Sequence, residues 1–352
     1  MVETVWYSAA GLPISSRGKV SAALLQVLIE GRDGPAYPAL LAMADGIDVS
    51  GPMIEDGDLQ LALFLLYSLS YGSFEQRGDD LEWVPELIAI RRRLEARHEA
   101  DLCTRISGLP DPEPTARDVA GALFEMTAAD DGPSLAHYVS RRATAGQLRE
   151  VLILRSIYTL READPHSWAI PRLTGKTKAA LIEIQADEYG GGQLHRMHSQ
   201  LFADALHGAG LCDEYGAYLD LVPAVTIASH NTMSLFGLNR RLRGAIVGHL
   251  AAFEMTSSIP NRYYRDGFAR AGFGDDVTRY FAEHVEADAV HEQIAGYDLA
   301  GSLAEQEPAL VGDIMFGAAA SLAMDALVTQ HVLAAWKTGR SALRVPAADV
   351  AV

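Results

Sequence analysis

Long apolar segments with helical spacing, and none with strand alternation, set the first limit on what this chain can become. They include "LQLALFLLYSL", "LEWVPELIAIRRRLEARHEADL", "LREVLILRSIYTLREA", "TKAALIEIQADEY", "RGAIVGHLAAFEM", "VTRYFAEHVEADAVHEQIAGYDLA" and "DIMFGAAASLAMDALVTQHVLAAW". Apolar residues spaced three and four apart line one stripe of a helix, so the pattern predicts an all-α fold. Residues 107 to 118, "SGLPDPEPTARD", separate two helical regions, because proline removes a backbone donor and clashes with the preceding turn. This stretch divides an N-terminal helical extension, residues 1–110, from a larger domain, residues 111–352. The breakers in "EADPHSWAIPRLTGKTK" separate two helices within the larger part. The extension concentrates "LALFLLYSL" on one short element, an apolar surface large for its size, and is expected to serve as a dimerisation element of a homodimer.

A length of 352 residues with 49% apolar content is enough to bury a sizeable core. The formal charge of −17 is spread along the chain, which argues against nucleic acid as a partner. Cys103 and Cys212 are the only cysteines, too few for a disulfide framework or a thiolate zinc site. The N-terminal "MVETVWYSAAGLPISSRGKV" lacks the basic start and apolar run of an export signal, so a cytoplasmic location is expected. The most apolar stretch, Ile314 to Trp336, is interrupted by Asp325, Gln330 and His331 and reads as a core helix, with no membrane partner.

Chemistry concentrates in "AEHVEADAVHE", where His284, Asp288 and His291 stand at i, i+4 and i+7. At about 100° per residue these side chains fall within roughly 60° of one another on one helix face. Imidazole and carboxylate without thiolate suit iron, manganese or zinc in an oxygen-activating or hydrolytic centre. The alternative is a solvated face, since Glu283, Glu286 and Glu292 are close by. One helix holds a metal weakly, so further carboxylates must come from elsewhere. Glu254 ends the apolar run "AIVGHLAAF", where an acid either neutralises a cation or reaches solvent from the helix end. Glu162, closing "LILRSIYTLRE", is placed similarly.

Between Glu183 and His198 the chain reads "EIQADEYGGGQLHRMH". Each interior glycine costs a helix about 1 kcal/mol relative to alanine, so Gly190, Gly191 and Gly192 require a backbone reason. In an unbroken helix Glu188 and His195 are nearly in phase, whereas His198 is about 80° away. A bulge or rewinding at the glycines would instead bring His198 round. "DEYG" recurs at Asp213 to Gly216 with no histidine behind it, so only the combination carries weight.

The segments "READPHSWAIPRLTGKTKAALIEIQADEYGGG", "HRMHSQLF", "FEMTSSIPNRYYRDGF" and "HVEADAVHE" resemble, in order and spacing, the iron-containing redox enzymes of the heme-oxygenase-like di-iron oxidase superfamily. The resemblance covers roughly residues 115 to 340, and "DLQLALFLLYSLSYGSF" with "WVPELIAIRRRLE" resembles the helical extension that many members carry. It implies a heme-oxygenase-like helical bundle with an N-terminal helical extension. It also implies two Fe(II)/Fe(III) ions with O2 as co-substrate, held by Glu188 and His198 from a first core helix, Glu254 from a second, and His284, Asp288 and His291 from a third. The resemblance prefers His198 to His195, against simple helical phase. His195 lies where some relatives have a further carboxylate, and Glu162 where some N-oxygenating members have one, so both are additional metal candidates.

The implied activity is that of a non-heme di-iron oxidoreductase acting on a small-molecule substrate. N-oxygenation or oxidation of an amine or amino-acid-derived metabolite is expected, with oxidative C–C cleavage or desaturation of a fatty acid or amino acid as the alternative, because one ligand set serves all of these. A ferritin-like carboxylate bundle would need two Glu-x-x-His motifs, and the chain offers Glu95 to His98, outside the core. A heme oxygenase would need one axial histidine and gives no reason for the carboxylates. A non-catalytic helical binding protein with structural histidines is the reading from a different class. Tyr158, Phe253 and Tyr280 are expected to line the pocket.

Overall fold

The segments with helical apolar spacing are helices in the computed structural model of the chain. It describes residues 5–7, 13–73, 79–129, 132 and 134–345, with side chains described at all of these except 5–7, 13, 79, 80 and 286–289. Strand is confined, among the described residues, to an antiparallel pair, β1 (Val5–Tyr7) and β2 (Pro13–Ser15). Three-residue strands are too short to show alternation in sequence.

The chain divides into two units that are not consecutive blocks. One comprises residues 1–105, 214–232 and 343–352, and the other residues 106–213 and 233–342. The first break falls where the proline-rich stretch begins. The expected division at 110 differs from this in that two later segments join the N-terminal unit.

The N-terminal unit contains α1 (Lys19–Glu30), α2 (Ala36–Asp45), α3 (Gly57–Tyr71) and α4 (Pro85–Arg105). Asp56 caps α3 by accepting from the amides of Asp58 and Leu59, and Gly72 ends it in the left-handed conformation. Every residue from Leu59 to Leu69 is buried, and α3 packs on α1 and α4. The apolar surplus from which a dimerisation surface was expected therefore lies in this unit's own core. The Glu95–His98 pair is likewise accounted for: His98 Nδ1 meets Gln60 Nε2 at 3.0 Å and His98 Nε2 meets Thr232 Oγ1 at 2.9 Å. Both ring nitrogens are engaged, as a buried polar group requires.

The second unit contains α5 (Ala116–Ala128), α6 (Leu135–Arg141), α7 (Ala145–Thr159), α8 (Asp164–Ser167), α9 (Gly175–Glu188) and α10 (His198–Gly208). It continues with the end of α11 (Ala224–Leu238), then α12 (Arg243–Met255), α13 (Ser258–Arg270), α14 (Asp275–Gln293), α15 (Ser302–Gln306) and α16 (Val311–Lys337). α14 runs into a π-helical segment, Ile294–Gly301. α12 is buried from Gly244 to Ala252 and packs on α16, on α14 and on the π-helical segment. Its closest approach is to α16, where a Cβ on Gly248 would run into the Ile314 carbonyl and one on Gly317 into the Ala245 carbonyl. α16 is long and apolar enough, by length and composition, to cross a membrane. Its exposed positions are Gly312, Asp325, Gln330, His331, Ala334 and Lys337, and its buried face includes Ile314, Met315 and Ala318. Packing within the unit accounts for its apolar character.

The α12–α16 crossing yields a prediction. Gly248→Ala or Gly317→Ala should each destabilise the protein by about 1–3 kcal/mol through overpacking. Gly312→Ala, on the same α16 with nothing within 4 Å of the added methyl, should be neutral or stabilising by up to about 1 kcal/mol. Urea unfolding of the three variants checks this.

Candidate metal centre

The glycine run ends a helix instead of bending one. α9 stops at Glu188, and Gly190, Gly191 and Gly192 follow with φ of 62°, 59° and 79°, a region that glycine enters without a Cβ penalty. The chain folds back so tightly that a Cβ on Gly190 would lie 2.5 Å from Arg196 C and Met197 N. α10 then starts at His198, whose Nδ1 comes within 2.9 Å of Glu188 Oε2. The expected rewinding of a continuous helix is thus replaced by two helices meeting across a turn, and helical phase between Glu188 and His195 has no meaning here. His195 lies exposed on the turn Leu194–Arg196 and is not brought to the cluster.

Three further parts of the chain deliver the remaining donors. Glu162 follows α7, Glu254 lies near the end of α12, and His284 and His291 lie on α14. Glu162, Glu188, His198 and His284 are all buried, and each offers one ligand atom within 4.8 Å of the others. Glu188, Glu254 and His291 form a second buried group by the same measure, so Glu188 belongs to both. Asp288 is on α14 between the two histidines and lies outside the residues whose side chains are described.

Hydrogen bonds on the outer sides of the rings set which nitrogen faces inward. His284 Nδ1 is 2.9 Å from the Tyr280 carbonyl, so it donates there and turns Nε2 toward Glu162 Oε1, 3.7 Å away. His291 Nε2 is 3.0 Å from Asp187 Oδ2, which leaves Nδ1 facing Glu254 Oε2 at 3.4 Å. Such outer carboxylate and carbonyl partners fix the orientation of metal-binding imidazoles. The Tyr280 hydroxyl donates to both Glu162 oxygens, at 3.0 and 2.9 Å.

The electrostatics also favour a cation. Burial pushes the Glu188 carboxyl up, but the imidazoles of His198, His284 and His291 outweigh it and hold the group well below the usual range. Burial lowers His291, yet Glu254, Asp187 and Glu188 raise it to about 9. His198 is raised in the same manner by Glu188, against its own burial. His198 Nδ1 and His291 Nδ1 lie beside carboxylate oxygens without making an aligned hydrogen bond. Buried donor atoms that converge without an aligned hydrogen bond fit a metal ion that would displace the ring protons, and three buried carboxylates need positive charge. Nitrogen and oxygen donors without sulfur fit iron, manganese or zinc.

Beside the cluster is a small cavity, lined on its apolar sides by Tyr158, Leu250 and Phe253. Of the three aromatics expected there, Tyr158 and Phe253 line it, while Tyr280 is instead hydrogen-bonded to Glu162. Sequence reasoning missed Asp187, His166 and Gln185. Asp187 gave one signal, its place in the acid pair before the glycines; His166 and Gln185 gave none, since isolated polar residues on helices usually face solvent.

Fold and donor set together define a heme-oxygenase-like helical bundle with a buried carboxylate–histidine cluster that could hold a metal. A family model described as iron-containing redox enzyme matches residues 149–326, just over half of the chain, and the chain belongs to that family. Two crystal structures of a CADD-like protein of unknown function from Nostoc punctiforme PCC 73102 are similar to it. One is 18% identical with a TM-score of 0.49, over 62% of this chain and 96% of that one; the other is 16% identical with a TM-score of 0.48, over 64% and 96%. The chain matches no curated protein.

The raised pKa of His291 gives a signed expectation. Its folded-state value of about 9 lies above the ordinary 6.5, so in metal-free protein its contribution to stability is complete below pH 6.5 and is lost as pH rises through 9. Metal-free wild type should therefore lose more melting temperature across that window than His291→Gln. A divalent metal must displace this proton, so binding should strengthen with pH and release protons, read from the buffer dependence of the calorimetric enthalpy.

Proposed function

We propose that the chain is a non-heme di-iron, O2-dependent oxidoreductase that oxidises a small amine or amino-acid-derived metabolite, N-oxygenation being the preferred reaction. The observation that carries this reading is the membership of Glu188 in two groups of converging ligand atoms. One iron would be held by Glu162, Glu188, His198 and His284, and the other by Glu188, Glu254 and His291, with Asp288 added from its place on the same helix stripe. Iron in these positions supplies the electrons that reduce O2. The protein's residues do the rest. Tyr280 orients the Glu162 carboxylate, Asp187 and the Tyr280 carbonyl orient His291 and His284, and Tyr158, Leu250 and Phe253 keep water from the cavity.

Anaerobic titration with ferrous iron should load about two ions per chain, and admission of O2 should oxidise them, faster with a small amine than with a long-chain fatty acid. Glu188→Ala should lose both ions, while Glu254→Ala and His284→Ala should each lower occupancy without unfolding the protein. His198→Ala should lower it, whereas His195→Ala should leave it unchanged. Retention of two irons in Glu188→Ala would overturn the shared-ligand arrangement. Acceleration by fatty acids alone would replace amine oxidation with carbon–carbon cleavage or desaturation.

A further inference from the structure

Tyr280 touches two ligand candidates at once. Its hydroxyl donates to both Glu162 oxygens, and its fully buried ring lies 4.5 Å from the ring of His284. A phenol gives up an electron readily only as it gives up its proton, and that proton needs an acceptor within hydrogen-bond reach. The Glu162 carboxylate is such an acceptor, at 2.9 Å.

The same ring begins a row that leads away from the cluster. On α14, Tyr280 meets Phe281 edge-on with ring centres 5.1 Å apart, and Phe281 stacks on Tyr264 of α13 at 5.7 Å and 30°. Tyr264 keeps 8% of its surface in water, so a row that starts at the buried cluster ends at solvent. Tyrosine is readily oxidised and phenylalanine is not. Two oxidisable phenols thus stand at the ends, with one inert ring in contact with both. The Arg155 guanidinium lies 5.3 Å over the Tyr264 ring, and its charge also reaches Tyr280 and Glu162. A cation there disfavours a positively charged ring, so a phenol that loses an electron is driven to lose its proton too.

We infer that Tyr280 and Tyr264 form a one-electron route between the metal cluster and the protein surface, with Phe281 as the ring between them. This rests on the di-iron reading and adds to it the way reducing electrons enter. Tyr280 gives one electron to the O2-oxidised iron pair, its O–H bond breaks, and the proton passes along the existing hydrogen bond to Glu162. Tyr264 then gives one electron to the Tyr280 radical, which takes its proton back from Glu162, while the Tyr264 proton leaves to water. A one-electron reductant in solution restores Tyr264, which regains a proton from water. Each cycle carries one electron inward and leaves both phenols intact.

The test uses the full chain, iron-loaded and metal-free. Iron-loaded protein exposed to O2 without substrate and frozen at successive times should show the electron-spin resonance of a tyrosyl radical. Ring-deuterated tyrosine should narrow that signal, a readout in the wild type that needs no variant to fold. Tyr280→Phe should lose the signal, and Tyr264→Phe should keep it but slow its disappearance when ascorbate is added. Tyr263→Phe, beside Tyr264 but packed on His137 outside the row, should behave as wild type. In metal-free protein, photogenerated tris(bipyridine)ruthenium(III) should leave a long-lived radical fraction that Tyr280→Phe and Tyr264→Phe both abolish. An undiminished signal in Tyr280→Phe, unchanged decay in Tyr264→Phe, or no long-lived fraction in the metal-free protein would each overturn the route. Failure to take up iron would sink the di-iron reading while the metal-free measurement still decides whether the row carries an electron. Iron uptake and oxidation by O2 with no tyrosine-derived signal would sink the route alone.

Discussion

Three glutamates, Glu162, Glu188 and Glu254, are buried together with three histidines, and this concentration of charge is what the second unit is arranged around. Carboxylates taken out of water are strongly unfavourable unless opposite charge meets them. In the metal-free chain the imidazoles supply it, which is why His198 and His291 are driven toward their charged forms and Glu188 stays ionised. A metal bound there would replace those protons at the same positions. The same donors would thus serve two states, one held by protons and one by cations.

Such a cluster tolerates little positional error, and the backbone is shaped accordingly. Gly190 lets the chain double back with no side chain between the turn and Met197, which sets Glu188 and His198 on adjoining helix ends. Gly248 and Gly317 bring α12 and α16 into backbone contact and fix the helix that carries Glu254 and His249. Ala163 holds a conformation costing an L-residue about 1–2 kcal/mol, and its carbonyl is the one that pins Gln185. Strain and close approach sit next to ligand candidates, where surrounding structure over-determines them.

Hydrogen bonds on the outer sides of these ligand candidates turn proximity into direction. Asp187 and the Tyr280 carbonyl occupy the outer nitrogens of His291 and His284, and the Tyr280 hydroxyl spans both oxygens of Glu162. His166 lines the same cavity and pairs with His249, which does not line it, and burial lowers the pKa of both rings, against the pull of Glu188 on His166. One cavity therefore holds an ionic wall and a neutral polar one.

The helical content, the stripe shared by His284 and His291, and the need for a break at the three glycines were legible in the sequence because each is local: a 3.6-residue period and the φ freedom of glycine act within a few residues. What the break does was not legible. Rewinding and termination satisfy the same local rule, and only the approach of Gly190 to Arg196 and Met197 selects termination, leaving His195 in solvent and His198 inside. The grouping of residues 214–232 and 343–352 with the N-terminal unit, the partnership of Asp187 with His291 across 104 positions, and the orphaned atoms of His166 and Gln185 were equally out of reach. The sequence by itself determined which residues could bind a metal and that helices would carry them. The tertiary structure decided which of them meet, because convergence of side chains from separate helices depends on how backbones pack, and no periodicity within one helix encodes that.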